Sequence, residues 1–178
     1  MYTTRWYETP TQHLYRPLAD HEPVLYPTHL VAGYLVGRVG TLSVAAVVAG
    51  TALPDLIDKP LGVLGITAQY HTVAHSALSL VVLGVLATRG WVWLAVAVGW
   101  GSHLALDALH MVLNGRPADV QFLLWPVVEH EPQVSQPPVE WALSYLGSPS
   151  SLAELAIWLG ALTLFVRSGE TDSRRSLS

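Results

Sequence analysis

The sequence contains no cysteine. Disulfides, thiolate metal sites and a cysteine nucleophile are therefore excluded, and a transition-metal site can be built only from histidine and carboxylates. Charge is also scarce. Only 12% of the 178 residues are Asp, Glu, Lys or Arg, about half the share usual in a soluble domain. The formal net charge of −4 is too small to mark nucleic acid as a partner. No G-x-S-x-G motif occurs, which disfavours a serine hydrolase. The opening stretch "MYTTRWYETPTQHLYRPL" has no apolar core and does not read as a secretory signal peptide. No internal repeat is visible, and the length suits one domain.

What the chain has in quantity is apolar sequence, 51% of it, bunched into runs. The implied fold class is all-α: an integral membrane bundle of about four to five helices, with polar, Pro-rich segments at the interface. Residues 1–28 form the first such segment. Pro10, Pro17, Pro23 and Pro27 forbid a long helix there, and Trp6, Tyr7, Tyr15 and Tyr26 suit a bilayer interface. A membrane-embedded domain follows over residues 29–167. Helices are expected at His29–Gly37, Thr41–Leu53, Thr72–Thr88 and Trp91–Leu113, with a loop over Pro54–Tyr70. Residues 114–150 read as an extramembrane cover without helices of its own. "SLAE" at Ser151–Glu154 reads as a capping box opening a last helix that ends near Val166, and residues 168–178 read as a disordered tail.

Ionisable groups interrupt this apolar sequence. His103, Asp107 and His110 sit inside the run from Trp91 to Leu113. Steps of four and three residues turn a helix by about 40° and −60° from the starting direction, so the three line one stripe. His71 and His75 are also four apart. Asp55 and Asp58 lie between Pro54 and Pro60. Threaded up and down, the helices bring His29, Asp55, His75 and Asp107 to the same end of the bundle. The other end receives the tight connections at Arg38 and Arg89 and the tail with Arg167, Arg174 and Arg175. Arginine in short segments marks that end as cytoplasmic, which puts the His/Asp end on the extracytoplasmic face of an inner, or cell, membrane.

An i, i+4 pair of ligands on a helix is a standard way to hold a metal. The candidate ligands are His29, Asp55, Asp58, His71, His75, His103, Asp107 and His110. Structural roles also suit several of them. His103 and Asp107 can be a buried hydrogen-bonded pair, Asp55 and Asp58 turn residues after Pro54, and His29 a helix cap. His71 and His110 can be interfacial. Against these stands the cost of an unpaired ionisable group in lipid, about 3 kcal/mol or more.

The succession "THLVAGYLVG", "GTALPDLIDKP", "HTVAHS", "SHLALDAL" and "LLWP" resembles the LexA-binding, inner-membrane-associated hydrolases, also called membrane-bound metal-dependent hydrolases. The resemblance covers about residues 28–127, and "LPDLIDKPL" looks most like versions from salt-loving archaea. That family is similar in ligand pattern to zinc-dependent phospholipase C and related helical nucleases. The resemblance implies metal ligands at Asp55, His75, His103 and Asp107, with His29 and Asp58 nearby. The chain departs from the pattern at His71, where the family commonly has Arg, and in a PDxxD spacing where many members have PDxD.

The chemistry expected is hydrolysis of a phosphodiester, on a membrane lipid or another substrate, by a metal-activated water. Imidazoles with carboxylates suit one or two divalent ions, with Zn²⁺ favoured and Mn²⁺ or Fe²⁺ compatible. Asp107 and Asp58 are the candidate catalytic carboxylates, Asp58 as general base or as a residue orienting a ligand. Two other classes compete. A metal or proton transporter would need polar residues continuing to the cytoplasmic side, where "LSLVVLGVLAT" and "WVWLAVAVGW" are apolar. A regulator-binding membrane protein with a structural metal would need more cytoplasmic surface than the short tail supplies.

Overall fold

The computed structural model describes residues 26–67, 69–128 and 145–175, with side chains as far as Ser168. Residues 1–25 of the N-terminal interfacial segment and residues 129–144 therefore lie outside the described residues, whereas Tyr26–Thr28 open α1. Five α-helices and one 3-10 helix make up the rest: α1 (Tyr26–Val39), α2 (Val44–Val63), α3 (Ala77–Ala87), α4 (Trp91–Leu113), the 3-10 helix Pro117–Leu124, and α5 (Pro149–Arg175). No strand occurs among the described residues.

Helix α4 has the expected bounds. The other helices differ in instructive ways. α2 continues into the expected loop as far as Val63, with Pro54 and Pro60 inside the helix. Each proline removes one helical N–H, but Asp55 and Lys59 form an i, i+4 ion pair at 2.9 Å that supports the helix across the same turns. α3 starts five residues later than expected, at Ala77. The N–H groups of Thr72, Ala74 and His75 donate to the Asp58 carboxylate instead of to helical carbonyls. A side chain on α2 thus holds residues 71–76 as a non-helical turn. α5 begins at Pro149 and continues to Arg175, through residues the sequence assigned to a tail. Its N-terminus is closed by Ser148, whose hydroxyl accepts from the Ser151 N–H, while the Ser151 hydroxyl accepts from Gly147 N–H. The expected box at Ser151–Glu154 does not form, because Glu154 is engaged elsewhere.

α2 and α4 form the centre of the bundle, with α1 against both. Their backbones meet at two glycines. A Cβ on Gly99 would lie 2.0 Å from the Val47 carbonyl oxygen, and one on Gly50 would lie 2.2 Å from that of Val96. Only glycine permits this approach. α3 packs on α4 through Leu83, Trp100 and Leu104, and the 3-10 helix covers this core with Phe122. α5 leans on α1, where Arg38 donates to the Ser168 hydroxyl.

Two helices are long and apolar enough to cross a membrane: α4, and α5 over Pro149–Ser168. The bundle has the expected number of helices, and two of them qualify as spans by length and composition. α1 has 14 residues and α3 has 11, short of the ~20 a straight span requires. α2 has the length but carries Asp55, Asp58 and Lys59. The distribution of polarity is inverted relative to a soluble bundle. Buried positions include His29, Asp55, Asp58, His75, His103, Asp107 and Glu154, while Leu78, Val81, Val85, Leu159, Leu162 and Phe165 are exposed.

Candidate metal centre

α1, α2, α4 and the turn before α3 contribute from the same end of the bundle. α1 brings His29 from its first turn, α2 brings Asp55 and Asp58 from its last turns, the turn before α3 brings His71 and His75, and α4 brings His103 and Asp107. The i, i+4 spacing on α4 puts His103 Nε2 3.2 Å from Asp107 Oδ2. Four candidate ligands converge at the centre. His75 Nε2 and His103 Nε2 are 3.1 Å apart. Asp55 Oδ1 lies 3.4 Å from the first and 3.7 Å from the second. Asp107 Oδ2 lies 3.6 Å from His75 Nε2. Donor atoms about 2.0–2.1 Å from a common tetrahedral ion stand about 3.3 Å from one another, and the separations among His75, His103 and Asp55, and among His75, His103 and Asp107, bracket that value.

The second nitrogens define what the first ones can do. His75 Nδ1 donates to Asp58 Oδ2 at 2.8 Å. His103 Nδ1 donates to the Thr51 carbonyl, also at 2.8 Å. With neither Nε2 protonated, the two lone pairs would face each other, an arrangement that is repulsive until a proton or a metal ion sits between the donors. A carboxylate or a backbone carbonyl behind a histidine is the usual means of aiming such a ring at a metal. Neither oxygen of Asp107 receives an aligned hydrogen bond although both are buried, and His29 Nδ1 is likewise unpartnered. Buried polar atoms without partners are costly, and a shared ion among the histidines and carboxylates would satisfy the carboxylate at once.

Two imidazoles flank this centre. The His29 ring stacks on His103 at 3.9 Å, with Nε2 3.1 Å from Asp107 Oδ1. His71 Nε2 is 3.9 Å from Asp107 Oδ2. Three overlapping sets can hold an ion: His29, His103 and Asp107; Asp55, His75 and His103; and His71, His75 and Asp107. Burial, reinforced by the neighbouring His75, pushes His71 down to about 3, so it is neutral and free to coordinate. Burial would also lower His75, but its hydrogen bonds to Asp55 and Asp58 reverse this and raise it to about 9. A proton on His75 Nε2 relieves the crowded donors, and a divalent cation would take its place.

Two of the eight sequence candidates fall outside the three sets. Asp58 accepts from Thr72 N, Ala74 N, His75 N and His75 Nδ1, so its oxygens are spent on aiming His75. His110 is on the expected stripe but one turn further along α4, where Asn114 Nδ2 lies 2.8 Å from its Nε2. Residues not expected from spacing also shape the centre. Thr51 supplies the carbonyl behind His103, and its hydroxyl donates to Val47 O and Gly99 O at the α2–α4 contact. Trp100 Nε1 donates to Ala74 O at 2.7 Å and fixes the turn bearing His75. Glu154 accepts from the Thr28 hydroxyl at 2.8 Å, beside His29, and Trp158 Nε1 donates to the same hydroxyl. Only Glu154 had a signal in the sequence, as an acid inside an apolar helix.

Compared with family models, curated proteins and solved structures, the chain matches none.

Proposed function

We propose that this chain is an integral membrane, metal-dependent hydrolase acting on a phosphodiester. The observation that carries the reading is the 3.1 Å approach of His75 Nε2 and His103 Nε2, each ring held by a partner on its other nitrogen. His75, His103, Asp55 and Asp107 would hold the ion, with His29 and His71 available to a second. The thiolate-free donor set suits Zn²⁺, with Mn²⁺ or Fe²⁺ compatible. Such an ion supplies Lewis acidity to a phosphoryl oxygen and lowers the pKa of water toward neutrality.

The protein's own part is positioning and exclusion. Asp58 and the Thr51 carbonyl fix the two rings, Trp100 fixes the turn, and Phe122 lies over His71 and His75 at 5.5 and 6.3 Å between ring centres. The interior closes below the site on Val47, Ala95 and the Gly50 and Gly99 contacts. A transporter would need a polar path there, so this closure favours an enzyme. The inverted polarity of the bundle and the two span-length helices support a membrane location, and Arg38, Arg89 and Arg167 at the opposite end support an extracytoplasmic site in the cell, or inner, membrane. The resemblance of the motif order to the LexA-binding, inner-membrane-associated hydrolases supports the same activity. The test is hydrolysis of bis(4-nitrophenyl) phosphate by purified protein with added Zn²⁺ or Mn²⁺. Turnover should be chelator-sensitive and absent in Asp107→Asn. Equal background rates in both proteins would reject the enzyme.

A further inference from the structure

The candidate metal centre is not evenly buried. The side chains of His29, Asp58, His75, His103 and Asp107 are at most 2% exposed. Two side chains beside them reach the surface, Lys59 at 28% and His71 at 16%. Both adjoin His75. The His71 ring meets it edge-on at 4.5 Å, and Lys59 pairs with Asp55, whose Oδ1 lies 3.4 Å from His75 Nε2. The exposed edge of the centre is therefore the edge that carries Lys59 and His71.

An i, i+4 ion pair on a helix surface usually joins two solvated groups and does little else. The Asp55–Lys59 pair differs because its carboxylate is buried and uses its two oxygens separately. Oδ2 faces Lys59 Nζ at 2.9 Å, while Oδ1 faces the Nε2 atoms of His75 and His103. One carboxylate thus separates the ammonium from the ligand cluster. The ammonium also lies over the Tyr26 ring, 5.3 Å from its centroid, a contact that keeps it at this edge. Among the described residues, no other Lys or Arg pairs with a carboxylate of the three ligand sets.

The charge balance gives this ammonium a task. Asp55, Asp58 and Asp107 bring three negative charges, and imidazoles bind a metal as neutral rings. One divalent ion leaves one negative charge uncompensated, and a phosphodiester monoanion would be repelled. Lys59 cancels that charge on the exposed side, where an anion arrives.

We propose that Lys59 is the substrate-recognition residue of the centre, its ammonium donating to an anionic oxygen of a phosphodiester that enters on the Lys59–His71 edge. The inference rests on the hydrolase reading for the identity of that diester. Lysine suits the task as a compact charge on a flexible stem, able to turn from Asp55 Oδ2 to an incoming oxygen while α2 stays in place.

The test is calorimetric titration of inorganic phosphate into the Zn²⁺-loaded full chain in detergent. Lys59→Met should weaken phosphate about tenfold or more, and Lys59→Gln should do the same if Lys59→Met fails to fold. Lys59→Arg should stay within about threefold of wild type. Arg38→Gln, which removes a positive charge at the opposite end of the bundle, should bind phosphate as wild type. Zn²⁺ affinity in Lys59→Met should be unchanged or higher, because a cation beside the ion has gone. Unchanged phosphate affinity in Lys59→Met would overturn the proposal. So would a parallel fall in Zn²⁺ affinity, which would reduce Lys59 to a support for Asp55. Phosphatidylglycerol in mixed micelles or glycerophosphoglycerol in solution should displace the phosphate, the first marking a lipid diester and the second a soluble one; displacement by neither would also overturn the proposal. Lys59-dependent phosphate binding without turnover would sink the hydrolase and keep the recognition residue. An active enzyme whose phosphate affinity ignores Lys59 would do the reverse, and a chain that takes up no Zn²⁺ would overturn both.

Discussion

Asp58→Asn separates an orienting role from a catalytic one. Asp58 Oδ2 accepts from Thr72 N at 2.8 Å, from Ala74 N and His75 N at 3.1 Å, and from His75 Nδ1 at 2.8 Å; Oδ1 accepts from Ala74 N at 3.0 Å. Asparagine keeps one acceptor oxygen, loses the charge and turns an NH₂ group toward at least one of these donors. Bonds to a charged acceptor are worth about 1.5–3 kcal/mol each and neutral ones about 0.5–1.5. Several bonds weaken together, while the cost of burying a carboxylate disappears. The net loss of stability should be about 2–4 kcal/mol. The larger consequence is for His75, whose Nδ1 partner becomes a weaker acceptor or a donor. Changes behind a ligating histidine typically lower metal affinity 10–100-fold. Zn²⁺ titration of purified protein against a chromophoric chelator should show a loss of about that size, and excess Zn²⁺ should restore hydrolysis. Unchanged affinity would refute the orienting role. Unchanged affinity with abolished turnover would assign Asp58 to the reaction itself.

Two further outcomes follow from the geometry. His75 is raised from about 6.5 to about 9 in the metal-free chain, so its contribution to stability is complete below about pH 6.5 and is lost as pH rises through about 9. A metal must displace that proton, so Zn²⁺ affinity should climb about tenfold per pH unit from about pH 6.5 to 8, with about one proton released per ion; calorimetry in buffers of different ionisation enthalpy measures this, and a flat profile would contradict it. On topology, Val127 is 90% exposed just past the site end of α4, and Arg89 is exposed at the other end. In the cysteine-free background, Val127→Cys in intact cells should react with a membrane-impermeant thiol reagent and Arg89→Cys should not; reversed labelling would put the site inside.

The candidate ligand residues were legible because helical spacing is a short-range property. The stripe of His103 and Asp107 on α4 follows from a step of four, and α4 itself follows from a long, mainly apolar run bounded by Gly90 and Asn114. The turn at His71–Ser76 was not legible. Nothing in "HTVAHS" disfavours a helix strongly; the backbone is redirected by Asp58, 14 to 17 residues away in sequence. The helical path of "PDLIDKP" was hidden for the opposite reason. Two prolines read locally as a loop, yet the fold tolerates the missing N–H groups because the Asp55–Lys59 pair and the turn hung from Asp58 need a helix there. Bulk hydropathy does not show which helices span, since short helices around a polar interior carry the same composition as true spans. His110 fitted the periodicity and still fell outside the ligand sets. A stripe fixes direction around the helix axis, but distance along the axis decides which residues meet.

The most direct test of the metal centre is the metal content of the purified full-length chain by inductively coupled plasma mass spectrometry. Wild type, washed free of loosely held ions, should retain at least one equivalent of a divalent transition metal. His103→Ala removes one of the two Nε2 donors that face each other at 3.1 Å, and should lose that ion while the folded protein persists. A folded wild-type chain with no stoichiometric metal, or a His103→Ala chain that holds as much as wild type, would contradict the account.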